Sequence, residues 1–454
     1  MHPDGLASFR ALRRACSPVA LIRFASAAVM LIASGVATPA RAQPESANVV
    51  SDWNRIAVAT LAAFPPAASG APPALQVNLA MVQGAVYDAI NAIEPRHQPY
   101  LLETRFTPTA SKEAAASTAA YRVVSNIAST VPSSIPFPNR ADLLMTLETQ
   151  YASSLAAIPD GPVKTEGIAA GDAAADAMIA ARESDGRFVP SPWVPKDEAG
   201  YWQPLLNGDG SPMLDATPWV GGVRPFLIES ASQFRSDGPQ PLTSSAWAAD
   251  VNEVKALGGV DSTVRTPEQT HIAVWWQSAG GPTVLWNAVA RDLATSSGVD
   301  VGDTALLLAK LNLGGADAAI SCWNEKYYWS FWRPWQAIYE ADKDGITGTE
   351  PDRSWTALIT APYPEHPSGH LSLDGAHLRV LEQFFGSDDI SYDVTSSQFD
   401  NETRHFERFS QALDEITEAR IWAGLHYRTA DIDAKIIGGK VVDYMEQNYF
   451  QPLD

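Results

Sequence analysis

The 454-residue sequence predicts an all-α protein of two helical bundles joined by a long Trp/Pro-rich segment. Three observations predict it. Apolar residues recur at three- and four-residue spacing over residues 51–185, and again after Pro267. No stretch of 51–185 alternates persuasively as a strand. Between the two helical stretches, from Gly186 to about Thr266, the helical period disappears. There Trp193, Trp202, Trp219 and Trp247 sit among Pro190, Pro192 and Pro195 with Gly, Ser and Asp. So long a loop in a compact protein is functional or disordered, and its Trp content favours an ordered wrap able to shape a pocket mouth. The expected organisation is a leader over 1–42, a first bundle over 43–185, the connector over 186–266 and a second bundle over 267–454. Hydrophobic content of 46% with 19% charged residues fits a globular protein, and the length suits more than one core.

The leader is predicted from Arg10, Arg13, Arg14 and Arg23, an apolar run from Phe24 to Ala37, and Ala40-Arg41-Ala42 before Gln43. The apolar run is too short to span a bilayer comfortably. A cleaved signal implies a secreted or periplasmic protein, with the Sec and twin-arginine routes both open. No later segment reads as apolar enough to cross a membrane. Five Arg and one Asp leave with the leader, moving the formal net charge from −20 to −24. So acidic a surface excludes nucleic acid and anionic lipid as partners. Cys16 leaves too, so Cys322 stands alone, no intrachain disulfide is expected, and Cys322 reads as a buried, inert thiol.

In the first bundle Leu79, Val82, Val86, Ile90 and Ile93 make one helix face, closed by Pro95. Ser111 caps an Ala-rich helix carrying Val123, Val124 and Ile127. Asn139 opens another with Leu143, Leu144 and Leu147. Val163 to Arg182 is Ala-rich, with Gly167 and Gly171 on one face for close helix contact. In the second bundle helices are expected over Gln269–Gln277, Asp303 to about Arg333, Ser368–Phe385 with a stop at Gly386, Arg404–Tyr427 and Asp433–Tyr449.

Three segments carry the chemistry. Lys326 and Arg333 lie seven apart, two helical turns, so both heads are expected on one face before Pro334 ends the helix. In Pro367-Ser368-Gly369-His370, Ser368 is a natural N-cap, and Gly369 opens the first amides to an anion. His370 follows in the first turn, where an anion would favour its protonated form. Arg420 and His426 are six apart, about 120° around a helix, so spacing does not converge them; the gap at Gly424 and a long Arg arm are needed. Guanidinium forks and free amides suit a tetrahedral or trigonal oxyanion such as phosphate or vanadate. Each segment alone admits a plainer account: an aromatic helix with snorkelling cations, a capped helix with a surface histidine, a helix-end histidine beside a surface ion pair. All three plain accounts must hold at once to dispense with the pocket.

Lys-x6-Arg-Pro, Pro-Ser-Gly-His and Arg-x3-Gly-x-His, in this order, resemble the signature shared by vanadium-dependent haloperoxidases and type 2 phosphatidic acid phosphatases, over roughly residues 300–430. Trp53-Asn54, Tyr87-Asp88-Ala89-Ile90-Asn91 and Asp317 before Cys322-Trp323 are similar to the bacterial haloperoxidase branch. The resemblance implies that Lys326, Arg333, Ser368, the Gly369 amide and Arg420 hold the equatorial oxygens of vanadate, with His426 the sole protein ligand to vanadium. It implies that His370 takes a proton from hydrogen peroxide, that Lys326 polarises the activated oxidant, and that halide leaves as hypohalous acid, with a small organic acceptor compatible. In the phosphatase variant, phosphate replaces vanadate, His426 is the nucleophile and His370 protonates the leaving alcohol; a secreted acid phosphatase is therefore the alternative. Three positions depart from the pattern. Ala419 stands where the common signature has Ser, and Asp431 lies five after His426 where many relatives have Asp at four. Tyr363, seven before His370, is neither the Phe of chloride-oxidising nor the His of bromide-oxidising relatives, so the halide stays open. A zinc site of His370, Asp374 and His377 on one helix face would leave the three cations unexplained. A pure oxyanion-binding protein would need neither histidine.

Overall fold

The computed structural model describes residues 48–191 and 193–453; the leader expected over 1–42 lies outside the described residues. Helix α1, Val49–Ala62, opens under Asn48, whose side chain accepts from the amides of Val50 and Ser51. Helix α2, Pro72–Ile93, follows a single π-turn over Pro66–Gly70. It was expected to bury one stripe, yet every residue from Pro73 to Ile93 is buried, so it is wrapped on all sides. Helices α3 (Lys112–Thr130), α4 (Arg140–Ala156) and α5 (Pro162–Ala181) complete the first bundle. Ser111 caps α3 as expected, accepting from the Ala114 amide. At Gly167 and Gly171 any side chain would collide with the Ser111 and Ala115 carbonyls, so α5 and α3 touch backbone to backbone.

The second half contains α6 (Ser245–Leu257), α7 (Pro267–Ser278), α8 (Pro282–Ser296), α9 (Val301–Trp329), α10 (Pro334–Tyr339), α11 (Gly369–Phe385), α12 (Phe409–Trp422) and α13 (Arg428–Asn448). A two-stranded antiparallel hairpin, β1 (Tyr392–Ser396) with β2 (Glu402–Phe406), pairs Tyr392 with Phe406. Helix α9 packs on α2 and on α11, and α11 on α13. One apolar core therefore runs through both halves.

Several boundaries differ from expectation. The helix expected to reach Arg333 ends at Trp329, where Ser330 takes a left-handed conformation (φ 47°); Arg333 is instead the N-cap position of α10. Lys326 and Arg333 therefore do not share a helix face. The helix expected over Arg404–Tyr427 is divided: β2 takes its first residues and α12 ends at Trp422. Helix α13 starts at Arg428, not Asp433. Helices α6 and α8 were not anticipated. Nor was α9 as a candidate span: it is long and apolar enough to cross a membrane by length and composition, but 94% of that window is buried inside the protein, as befits a core helix.

Each of the paired central helices carries a buried aspartate that holds a following loop. Asp88 on α2 accepts from the amides of Tyr100 (2.7 Å), Leu101 (2.7 Å) and Leu102 (3.1 Å). Asp317 on α9 accepts from Phe226 (2.6 Å), Leu227 (2.7 Å) and Ile228 (2.9 Å). Burial pushes both carboxyls up to about 6, against the pull of those amides. Asp317→Ala would strand three buried donors. It is expected to destabilise the protein by about 3–5 kcal/mol in urea unfolding; a loss below about 1 kcal/mol would show that the loop finds other partners.

Candidate active site

The connector is pinned to the chain just past α9. The Trp202 amide donates to the Ser330 carbonyl (2.8 Å) and the Trp332 amide to the Gly200 carbonyl (2.9 Å). Around this junction the predicted residues converge. Lys326 leaves the last turn of α9, Arg333 the N-cap of α10, Ser368 to His370 the start of α11, Arg420 the last turn of α12. His426 comes from the loop before α13. Gly424 brings it in: its φ of 72° and the Gly258 carbonyl against its Cα leave no room for a side chain. That turn solves the 120° problem posed by spacing. Arg333 Nη1 lies 3.3 Å from His426 Nε2, and the charges of Arg333, Lys326, Arg420 and His370 all bear on the His426 ring.

The cations are held by backbone oxygens. Lys326 Nζ donates to the carbonyls of Pro364 (3.2 Å), Glu365 (3.0 Å) and Pro367. Arg333 donates to Tyr363 (2.9 Å), Leu425 (2.7 Å) and Pro364 (3.2 Å). Residues 363–367 thus wind around two buried positive charges, with the Tyr363 ring 5.2 Å from Lys326 and 5.1 Å from Arg333. Arg420 Nη1 donates to Gln277 Oε1 (3.0 Å). Trp323 closes one side: its ring centroid is 5.5 Å from that of Tyr363, and a Cβ at Gly369 would stand 3.1 Å from it.

Sequence reading missed Glu365. Its Oε1 lies 2.8 Å from His426 Nδ1 and accepts from the Tyr427 amide at 3.1 Å. This places the ring hydrogen on Nδ1 and the lone pair on Nε2, the nitrogen that faces the cations. Asp431, one position off the common spacing, stands beside the Ser368 hydroxyl, and the acid on the His426 ring is Glu365. The one available signal was an acid placed between prolines immediately before Pro367-Ser368-Gly369-His370. Ser368 occupies the N-cap position of α11 without capping it by its side chain.

Burial pulls Lys326 down to about 8, helped by Arg333 and opposed by Glu365 and Asp215. Burial and the nearby cations push His370 and His426 well below the usual histidine range. Burial lifts Glu365 to about 8 and Asp431 and Asp374 to about 7. An entering oxyanion reverses this for Lys326 and His370, favouring their charged forms. The donor set fits such a guest. Among the described residues, Ser368 Oγ, His370 Nε2 and Arg420 Nε are buried without a well-aligned hydrogen-bond partner, beside the N-terminus of α11. The lone pair of His426 Nε2, met in this structure by Arg333 Nη1 at 3.3 Å, fits a metal in the oxyanion. Zinc does not fit. Asp374 accepts from Trp286 Nε1 (2.6 Å) and His377 Nε2 meets Gln76 Oε1 (3.1 Å). Among the described residues no three His, Cys, Asp or Glu gather to hold a metal ion.

Residues 306–453 match the family model described as the VCPO second helical-bundle domain. The vanadium chloroperoxidase of Curvularia inaequalis is 23% identical over an alignment covering 46% of this chain and 45% of that protein. The match thus spans less than half the length of that relative. Among solved structures, the first bacterial vanadium-dependent iodoperoxidase superposes with a TM-score of 0.71 at 24% identity, covering 92% of this chain and 99% of that one. A holo-type bacterial vanadium-dependent chloroperoxidase gives 0.67 at 17% identity, covering 90% and 98%. The chain has the fold of these bacterial vanadium haloperoxidases.

Proposed function

We propose that this is an exported vanadate-dependent haloperoxidase that oxidises halide with hydrogen peroxide to hypohalous acid. The observation carrying it is the His426 ring: Nδ1 is tied to Glu365 and Nε2 is turned to the focus of Lys326, Arg333, Arg420 and His370. Bound vanadate would supply the Lewis acidity that activates peroxide. The chain's own residues do the rest. Arg333, Arg420, Ser368 and the Gly369 amide would hold the oxygens of the oxyanion, and the charge of Lys326 would draw electron density from it. His370 Nε2 takes a proton from hydrogen peroxide and returns it to the departing water. Overall, halide, hydrogen peroxide and one proton give hypohalous acid and water, the halide losing the two electrons that peroxide gains.

The reading is supported by similarity to a vanadium chloroperoxidase and to the fold of two bacterial vanadium haloperoxidases. The test is peroxide-dependent halogenation of a phenol dye by the purified protein, with and without orthovanadate, run beside hydrolysis of p-nitrophenyl phosphate. Vanadate-dependent halogenation that inorganic phosphate suppresses is expected. Strong hydrolysis with no halogenation at any vanadate concentration would overturn the reading for the acid phosphatase.

A further inference from the structure

Asp431 lies in the first turn of α13 and is completely buried. Neither of its carboxyl oxygens meets a well-aligned hydrogen-bond donor. The core aspartates are treated differently: Asp88 and Asp317 each accept three backbone amides. A carboxylate sealed from water without donors is costly. Burial accordingly lifts Asp431 to about 7, against the pull of Ser368, Arg420, Arg428 and Lys435. Glu365, from the loop before α11, also faces it.

The polar group beside Asp431 is the Ser368 hydroxyl. The Ser368 amide donates to the Ala430 carbonyl (3.2 Å), which seats the start of α11 against the start of α13. Ser368 Oγ is itself buried without a well-aligned partner, and it does not cap its own helix. This hydroxyl has one hydrogen to give and two directions to give it. One is Asp431; the other is the oxyanion that the Gly369 amide and Arg420 would hold. An ionised Asp431 can only accept, so it draws the hydroxyl hydrogen away from the guest. A protonated Asp431 gives its own hydrogen to Ser368 Oγ and leaves the hydroxyl hydrogen for the guest.

We propose that Asp431 is a positioning residue that sets the hydrogen-bond polarity of Ser368: its acid form makes the hydroxyl a donor to the oxyanion, and its carboxylate form withdraws that donor. The site then takes up its anion together with a proton kept on Asp431. Phosphate and vanadate are treated alike, so the inference goes beyond the haloperoxidase reading and does not depend on it. In the free protein Asp431 loses its proton as pH rises through about 7, whereas a multiply charged guest keeps it protonated to higher pH. The affinity contributed through Ser368 is therefore present below that range and lost above it.

Asp431→Asn tests this, because its amide N–H can donate to Ser368 at every pH and no charge ever appears. Inorganic phosphate binding is followed by calorimetry from about pH 6 to about pH 9. Relative to the parent, the variant should bind about equally at the acid end and about tenfold more tightly at the alkaline end. Titration of phosphate, Lys326 and His370 is common to both chains and cancels in that ratio. Ser368→Ala separates an effect through the hydroxyl from one of bare charge. In that background Asp431→Asn should gain no more than about threefold at the alkaline end. A ratio that does not change with pH, or an equal gain with and without the hydroxyl, would overturn the proposal. Should Asp431→Asn fail to fold, Ser368→Ala alone decides. Its loss of phosphate affinity should be about tenfold at the acid end and about threefold at the alkaline end, and an equal loss at both would overturn the proposal.

Discussion

His426→Ala is expected to lower orthovanadate affinity by more than about a hundredfold, since removing a mere hydrogen-bond partner of a metal-ligating histidine costs about 10–100-fold. Halide oxidation should fall with it. The reason is geometric. Nε2 is the nitrogen that faces Arg333 at 3.3 Å, and Glu365 has claimed the other side of the ring at 2.8 Å. Inorganic phosphate separates this effect from misfolding. It asks only for the charge of Lys326 and the donors of Arg333, Ser368, Gly369 and Arg420, which the variant keeps, so its affinity should change by no more than about threefold. Calorimetric titration with both anions checks the prediction; unimpaired orthovanadate binding and turnover in His426→Ala would refute the ligand assignment.

The residues that gather at this site were legible in the sequence, and the acid that orients His426 was not. Lys326, Arg333, Ser368, Gly369, His370, Arg420 and His426 sit in three short motifs whose residue types led to the expectation of an anion pocket. Glu365 and Asp215 act across 61 and 108 residues of chain, on His426 and Trp323 respectively, and apart from the prolines flanking Glu365 nothing in their immediate neighbours announces that approach. The same divide runs through the fold. Gly167 and Gly171 forecast a close helix contact because a missing side chain has a local meaning. Ser330 hid the end of α9, because a non-glycine residue in the left-handed region leaves no compositional mark. The hairpin over residues 392–406 escaped because each strand is five residues long. Strands that short look like a loop until Tyr392, Val394 and Phe406 are seen to bury against the helices. Convergence of the motifs was correct although the route assumed for Arg333 was not: a chain reversal after Trp329, not a shared helix face, brings it to Lys326.

His370→Ala is expected to keep orthovanadate affinity within about tenfold while losing about 10²–10⁴-fold in turnover, the usual contribution of a positioned acid–base group. One side of the ring is occupied by a backbone hydrogen bond to Trp276, and Nε2 is buried with no partner, so Nε2 is the atom free to exchange a proton. In the free protein, burial and the charges of Arg420 and Lys326 hold His370 well below the usual range, and at neutral pH it is uncharged. A multiply charged anion beside it raises that value. Binding must then take up a proton, and affinity must rise as pH falls through the interval between the free and bound values. Lys326, drawn down to about 8, contributes uptake of the same sign at higher pH, so the variant should lose part of the effect and not all of it. Calorimetry of phosphate binding in buffers of different ionisation enthalpy measures the proton count directly. Near pH 7 the variant should take up about one proton fewer than the parent. An unchanged count, or turnover equal to the parent, would remove His370 from the proton path and leave Glu365 as the next titratable group to examine.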